Sequence, residues 1–98
     1  MIRVTVVYPR NEGSRFDAAY WLGTHMPLVG AKLPGVSWEA DLAGADQPHY
    51  AIAFLTFPSM VEFGAAMGSA DGAEVVADMA NYTDVQPAMY ISEVAARS

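Results

Sequence analysis

The chain has no cysteine, which excludes disulfide bridges, thiolate metal sites and cysteine nucleophiles. Charge is scarce as well. Only 16% of the 98 residues are Asp, Glu, Lys or Arg, against about 25% in an average soluble domain. Basic residues are the rarer kind, five against eleven acidic ones, for a net charge of −6. That field repels a polyanion, and no basic cluster interrupts it, so a nucleic-acid partner is not expected. Long apolar runs are missing: none approaches the ~18 residues of a membrane-spanning helix, and no membrane partner is expected. Met1-Ile2-Arg3-Val4 begins at once on strand-like alternation, without a signal-peptide cleavage pattern. A cytoplasmic location follows as the expectation.

Several catalytic and cofactor motifs are absent too. There is no Gly-rich phosphate loop, no GxSxG, no GxGxxG and no HExxH, so no nucleotide or flavin cofactor is expected. The serines that open helices, Ser59 and Ser69, read as caps. The two histidines, His25 and His49, have no carboxylate motif beside them, so no metal site is expected.

What is present is mainly apolar, 53% of the chain. A chain of this length makes one domain, residues 1–98, burying roughly 60–70% of its unfolded surface. So little charge does not coat a small monomer, and some apolar surface is expected to meet a partner. Ile2, Val4, Val6 and Tyr8 alternate with Arg3, Thr5 and Val7 as a strand ended by Pro9. Phe16, Ala19, Tyr20 and Gly23 have the spacing of a helix face. Pro27 forbids the regular backbone bond and pushes Met26 from helical angles, so the helix should kink or restart there.

Val36, Trp38 and Ala40 form a second strand, and Tyr50 to Phe57 a third without a single charge. Ser59 with Glu62 is a capping box opening a helix that carries Met60, Phe63 and Met67 inward. Asp71 is expected to cap a further short helix with Val75, Val76 and Met79 packed. Val85 to Val94 is the fourth strand. The order β-α-β-β-α-β, with an added short helix, is the ferredoxin-like α+β arrangement with a four-stranded antiparallel sheet. Helices cover one face of such a sheet, and the other should alternate with polar residues. The third strand instead has Ala51, Ala53, Leu55 and Phe57 on one face and Tyr50, Ile52 and Phe54 on the other. A homodimer packed sheet against sheet satisfies both.

His25 is the leading candidate for chemistry, because imidazole alone has an unperturbed pKa near neutrality. Trp21 lies one turn before it on the same face. Capping of a helix end by His25 is an equally good reading of the spacing alone. Asn81-Tyr82-Thr83-Asp84 reads first as a turn, and its Tyr82 phenol can also donate to a ligand carbonyl or enolate. Tyr8, Tyr20, Tyr50 and Tyr90 supply further phenols, most of them core or interface residues by position. The composition suits a small apolar pocket with one or two polar groups.

Val4-Thr5-Val6-Val7-Tyr8-Pro9, the stretch Phe16 to Val29 with Tyr20-Trp21-Leu22 and His25-Met26-Pro27-Leu28-Val29, and Asn81 to Pro87 together resemble the EthD family. Those proteins are named from an ethyl tert-butyl ether degradation cluster. The resemblance covers essentially the whole chain, with one departure: the family usually carries tyrosine where this chain has Trp21. It implies a dimeric α+β barrel and places His25 towards a pocket between sheet and first helix. Members are often labelled reductases, yet no place for a redox cofactor is visible in the residues.

Two functions fit. One is a cofactor-free acid–base enzyme, isomerase-, cyclase- or monooxygenase-like, acting on a small apolar or aromatic carbonyl compound in catabolism or secondary metabolism. His25 would be its acid or base, and Tyr82 or Asn81 would polarise the carbonyl. Phe16, Tyr20, Trp21, Tyr50 and Tyr8 would contact the ligand. The other is a non-catalytic binding or accessory protein that delivers a hydrophobic metabolite to a partner oxygenase.

Overall fold

The computed structural model describes residues 1–98. Its sheet has four strands, β1 (Ile2–Pro9), β2 (Ser37–Leu42), β3 (His49–Phe57) and β4 (Ala88–Glu93), in the order β2-β3-β1-β4. All three pairings are antiparallel. This is the expected ferredoxin-like α+β sheet. The central strand shows why: Ile2, Val4, Val6 and Tyr8 are buried while the residues between them are only half-buried. The period-2 pattern thus commits one face to the core. Register follows from that commitment. Val6 opposes Ala53 on one side and Met89 on the other, and a one-residue slip would turn the whole set to the wrong face.

Four α-helices lie over that face. α1 (Ala18–Tyr20) runs through a π-helical turn (Trp21–His25) into α2 (Met26–Lys32). α3 (Met60–Met67) and α4 (Ala70–Ala77) follow β3, and a 3-10 turn (Asp78–Asn81) leads to the last strand. The most deeply buried large side chains are Trp21, Tyr82, Phe57, Met26, Leu33 and Val4.

The first helical segment departs from the sequence reading. Phe16 precedes the helix and pairs with Thr83 as an isolated bridge, while Ala19 and Gly23 are exposed. The buried face is Trp21, His25, Met26 and Val29. The helix also does not break at Pro27, and Met26 is helical at φ −64°, ψ −40°. The wide turn is the reason. Met26 N bonds back to Trp21 O, five residues away, and this loosened turn accommodates a ring that lacks an N–H and crowds the carbonyl four residues back.

Smaller differences concern helix phase and element ends. Ser59 caps α3 and Phe63 turns inward as expected, with Met67 packed against the core, but Met60 is 51% exposed and Ala66 is buried in its place. Ser69, not Asp71, caps α4, accepting from Gly72 N. Val75 is then buried and Val76 is 48% exposed. β4 begins at Ala88 rather than Val85, because Val85 N is bonded to the Thr83 hydroxyl.

The outer sheet face carries Val7, Ile52 and Phe54, each half-buried within one chain, and Tyr90, 58% exposed. On the helix side β4 leaves Met89 and Ile91 about half exposed (50% and 48%). The sheet is therefore apolar beyond what one copy covers.

The turn between α3 and α4 depends on a missing side chain. A Cβ at Gly72 would stand 2.2 Å from Ala66 O and 3.0 Å from Met67 Cα. Gly72→Ala is therefore expected to destabilise although alanine is the better helix former. Gly64→Ala in α3, where a Cβ meets nothing within 4 Å, should stabilise by up to about 1 kcal/mol. Urea unfolding of the two variants checks the opposite signs.

Candidate active site

Asp17 caps α1 by accepting from Tyr20 N at 3.1 Å, which fixes the entry of the segment. The π-helical turn then places Trp21 and His25 against the sheet, both buried. His25 Nδ1 lies 2.9 Å from Asp78 Oδ2. Asp78 closes the C-terminus of α4, so the contact joins two helical segments 53 residues apart. The carboxylate is fully engaged: Tyr20 OH donates to Oδ1 at 2.7 Å and Asn81 Nδ2 donates to the same oxygen at 3.0 Å. Asn81 Nδ2 also donates to Tyr20 OH at 3.3 Å.

These contacts set the protonation states. Burial pushes the His25 imidazole below its ordinary range and outweighs Asp78, which acts to raise it. Burial likewise works to raise Asp78, but the hydrogen bonds from Tyr20, His25 and Asn81 prevail and hold its carboxyl below the usual range. At neutral pH the pair is a neutral imidazole donating Nδ1–H to a carboxylate. A carboxylate that orients a histidine in this way also stabilises the imidazolium formed when the ring takes a proton. Nε2 is the nitrogen left for a ligand.

His25 lines a half-open cavity of about 90 Å³ between the sheet and the helices. Counting a water as needing about 10–15 Å³ by this measure, there is room for roughly one aromatic ring. Fifteen of the seventeen lining residues are hydrophobic, and none is Lys or Arg. Four are methionines, Met26, Met67, Met79 and Met89. The polar atoms at the wall come from His25, Tyr8 and Tyr82. The two phenols are hydrogen-bonded to each other at 2.9 Å, and the Tyr82 ring lies 4.6 Å from the imidazole. Burial raises both phenols, Tyr82 strongly with a further contribution from Tyr8. Both are neutral hydroxyls.

The other residues singled out from the sequence divide into two groups. Tyr20 and Asn81 sit behind the imidazole, bonded to Asp78, and are not among the lining residues. Phe16, Trp21 and Tyr50 are also outside the cavity wall. Phe16 packs edge-on against Trp21 and Tyr82 and stacks on Tyr50. Tyr50 is held by Ser14 and by the Arg10 guanidinium 4.5 Å above its ring. Arg10 also donates to the carbonyls of Gly44, Gln47 and His49, so this group anchors the β2–β3 loop.

The residue missed by the sequence reading is Asp78. A signal existed: it stands three residues before Asn81 at the end of an apolar helix, on the approach to Tyr82. Among all residues, no group of three or more His, Asp or Glu side chains is gathered as metal ligands, and no helix is long and apolar enough to cross a membrane.

The EthD domain model matches residues 14–86, the span from the loop before α1 to the residue before Pro87. An uncharacterised 11.0 kDa protein of the thcB–thcC intergenic region of Rhodococcus erythropolis is 38% identical over 88 residues, covering 84% of each chain. The crystal structure of an EthD-like protein from Ralstonia eutropha is 38% identical with TM-score 0.82, covering 99% of this chain and 94% of that one. A dimeric protein of ferredoxin-like fold from Bacteroides fragilis, 10% identical over 94% of this chain and 93% of its own, has TM-score 0.62 and shares the fold.

Acid should destabilise the protein in two stages. His25 has a lowered folded pKa, so between 6.5 and that value the unfolded chain binds more protons, and stability falls as pH drops through this window. Asp78 adds a loss of the same sign below 3.8, as pH falls through its lowered value. In Asp78→Asn the His25 midpoint, followed by NMR, is expected to move lower still, because both contributions of Asp78 raise it. A midpoint that stays or rises would contradict the account.

Proposed function

The chain belongs to the EthD family, and we propose that it is a cofactor-independent acid–base catalyst acting on a small apolar or aromatic carbonyl compound. The observation that carries this reading is the His25–Asp78 pair at the wall of an otherwise apolar cavity. Nε2 takes a proton from the ligand, Asp78 stabilises the resulting imidazolium, and the Tyr8–Tyr82 pair donates to the oxygen where charge develops. Tyr82 keeps the carbonyl-polarising role. Asn81 instead supports Asp78, and Tyr20 acts with it, while Phe16, Trp21 and Tyr50 shape the ring cluster behind the cavity. Isomerisation, cyclisation and cofactor-free oxygenation all begin with this proton removal.

A second reading is favoured by the hydrophobic lining itself: a carrier that delivers an apolar metabolite to a partner oxygenase. There His25 only orients the ligand, and its replacement by Gln leaves affinity nearly unchanged.

The working form in this reading is a cytoplasmic homodimer. Support comes from the apolar outer face, with Phe54 beside Thr5 and Tyr90 in one cross-strand row, and from the Bacteroides fragilis neighbour, which is a dimeric protein. Sedimentation at micromolar concentration should show a dimer that Phe54→Glu dissociates; a stable wild-type monomer would contradict it.

Catalysis is tested by cofactor-free hydrogen–deuterium exchange into small enolisable aryl ketones, read by NMR. His25→Ala is expected to slow exchange by about 10²–10⁴-fold. A loss well under tenfold would favour the carrier.

A further inference from the structure

The hydrogen-bonding groups at the cavity wall constrain the ligand more than the apolar lining does. Tyr8 and Tyr82 bring two hydroxyl protons and share one hydrogen bond. Whichever oxygen accepts, one proton is left over, and neither phenol has another acceptor among the protein groups. Behind the wall, Trp21 holds a further donor. Its indole N–H is buried without a partner of hydrogen-bond geometry, yet it lies close enough to the Tyr8 oxygen to favour that phenol's ionised form.

The wall also carries a surplus acceptor. The neutral imidazole spends its one N–H on Asp78, and Nε2 offers a lone pair with no protein donor. The wall therefore lacks one acceptor and one donor. A ligand gains by completing both. No Lys or Arg is present to balance a ligand that arrives already charged, Asp78 stands behind the imidazole, and the whole chain carries −6.

Resting on the acid–base reading above, we propose that the ligand is a neutral, weakly acidic aromatic molecule, either a phenol held as its conjugate base or an enolisable aryl ketone that gives up its proton transiently. Its acidic O–H or C–H meets Nε2, and its oxygen meets the spare tyrosyl hydroxyl. The proton passes to Nε2, the electron pair stays on the ligand and is delocalised onto that oxygen, and the site as a whole gains no charge. Carboxylates and phosphates are rejected because they bring a charge that nothing at the wall neutralises. The methionines Met26, Met67, Met79 and Met89 suit this class, since thioether sulfur packs well at aromatic ring edges.

The test uses two probes of similar size with the wild-type protein, 4-nitrophenol and 4-nitrobenzoate, at a pH where free 4-nitrophenol is mainly neutral. Bound 4-nitrophenol is expected to show the phenolate absorption band, with the His25 ring becoming imidazolium by NMR. The benzoate should bind on the order of a hundredfold more weakly, as a buried charge without a partner does. His25→Gln should abolish the phenolate band, and Tyr8→Phe combined with Tyr82→Phe should weaken binding of the phenol.

Equal or tighter binding of 4-nitrobenzoate would overturn the ligand class while leaving ketone exchange by His25 intact. Binding of 4-nitrophenol as the neutral phenol would overturn this proposal, and absent exchange would then overturn the acid–base reading as well. Failure of both probes to bind, with exchange into ketones retained, would overturn the phenol-type ligand alone.

Discussion

The hydrogen bond from His25 to Asp78 is the contact on which the candidate site depends. It spans 2.9 Å between the π-helical turn after α1 and the end of α4, segments that the sequence separates widely. Without it the imidazole would be an isolated polar group in an apolar wall, a costly arrangement. With it the ring has a fixed tautomer, a fixed orientation and one nitrogen free. The same contact couples the site to the packing of the helices over the sheet, since Asp78 also closes α4. A histidine that only capped a helix end would need none of this supporting set.

The carboxylate is itself supported. Tyr20 and Asn81 both donate to Oδ1 and leave Oδ2 to the histidine. Three donors on one carboxylate keep it ionised despite burial. Tyr20, expected at the ligand, and Asn81, expected to polarise a carbonyl, are thus both bonded to Asp78. The aromatic cluster has a similar indirect role. Phe16 packs against both Tyr8 and Tyr82, Trp21 against Tyr8, and Tyr50 stacks on Phe16, contacts worth about 0.5–1.5 kcal/mol each beyond area burial.

The fold was largely legible in the sequence, because strand alternation and the Ser59–Glu62 cap are local signals. β1 is the clearest case: its four inward side chains are the ones the pattern picks out. Helix phase in the first segment was not legible. The i, i+4 spacing of Trp21 and His25 was visible, but the π-helical turn that widens the helix around Pro27 obeys no regular period, so Ala19 and Gly23 were assigned to the wrong face. His25 could be found from its chemistry. Asp78 could not be paired with it, since a contact across 53 residues leaves no periodic trace. The apolar outer face was readable from β3 alone, whose Ile52 and Phe54 are half-buried before any second copy is added.

The chemistry of the site turns on a single proton, the one on the imidazole at neutral pH, and on which ring nitrogen carries it. Nitrogen-15 NMR of the His25 ring tests it most directly, because protonated and unprotonated ring nitrogens have well-separated shifts. The account predicts Nδ1 protonated and Nε2 bare at pH 7, with Nε2 becoming protonated only below the ordinary histidine range. A ring protonated at Nε2 with Nδ1 bare, or an imidazolium already present at pH 7, would contradict it.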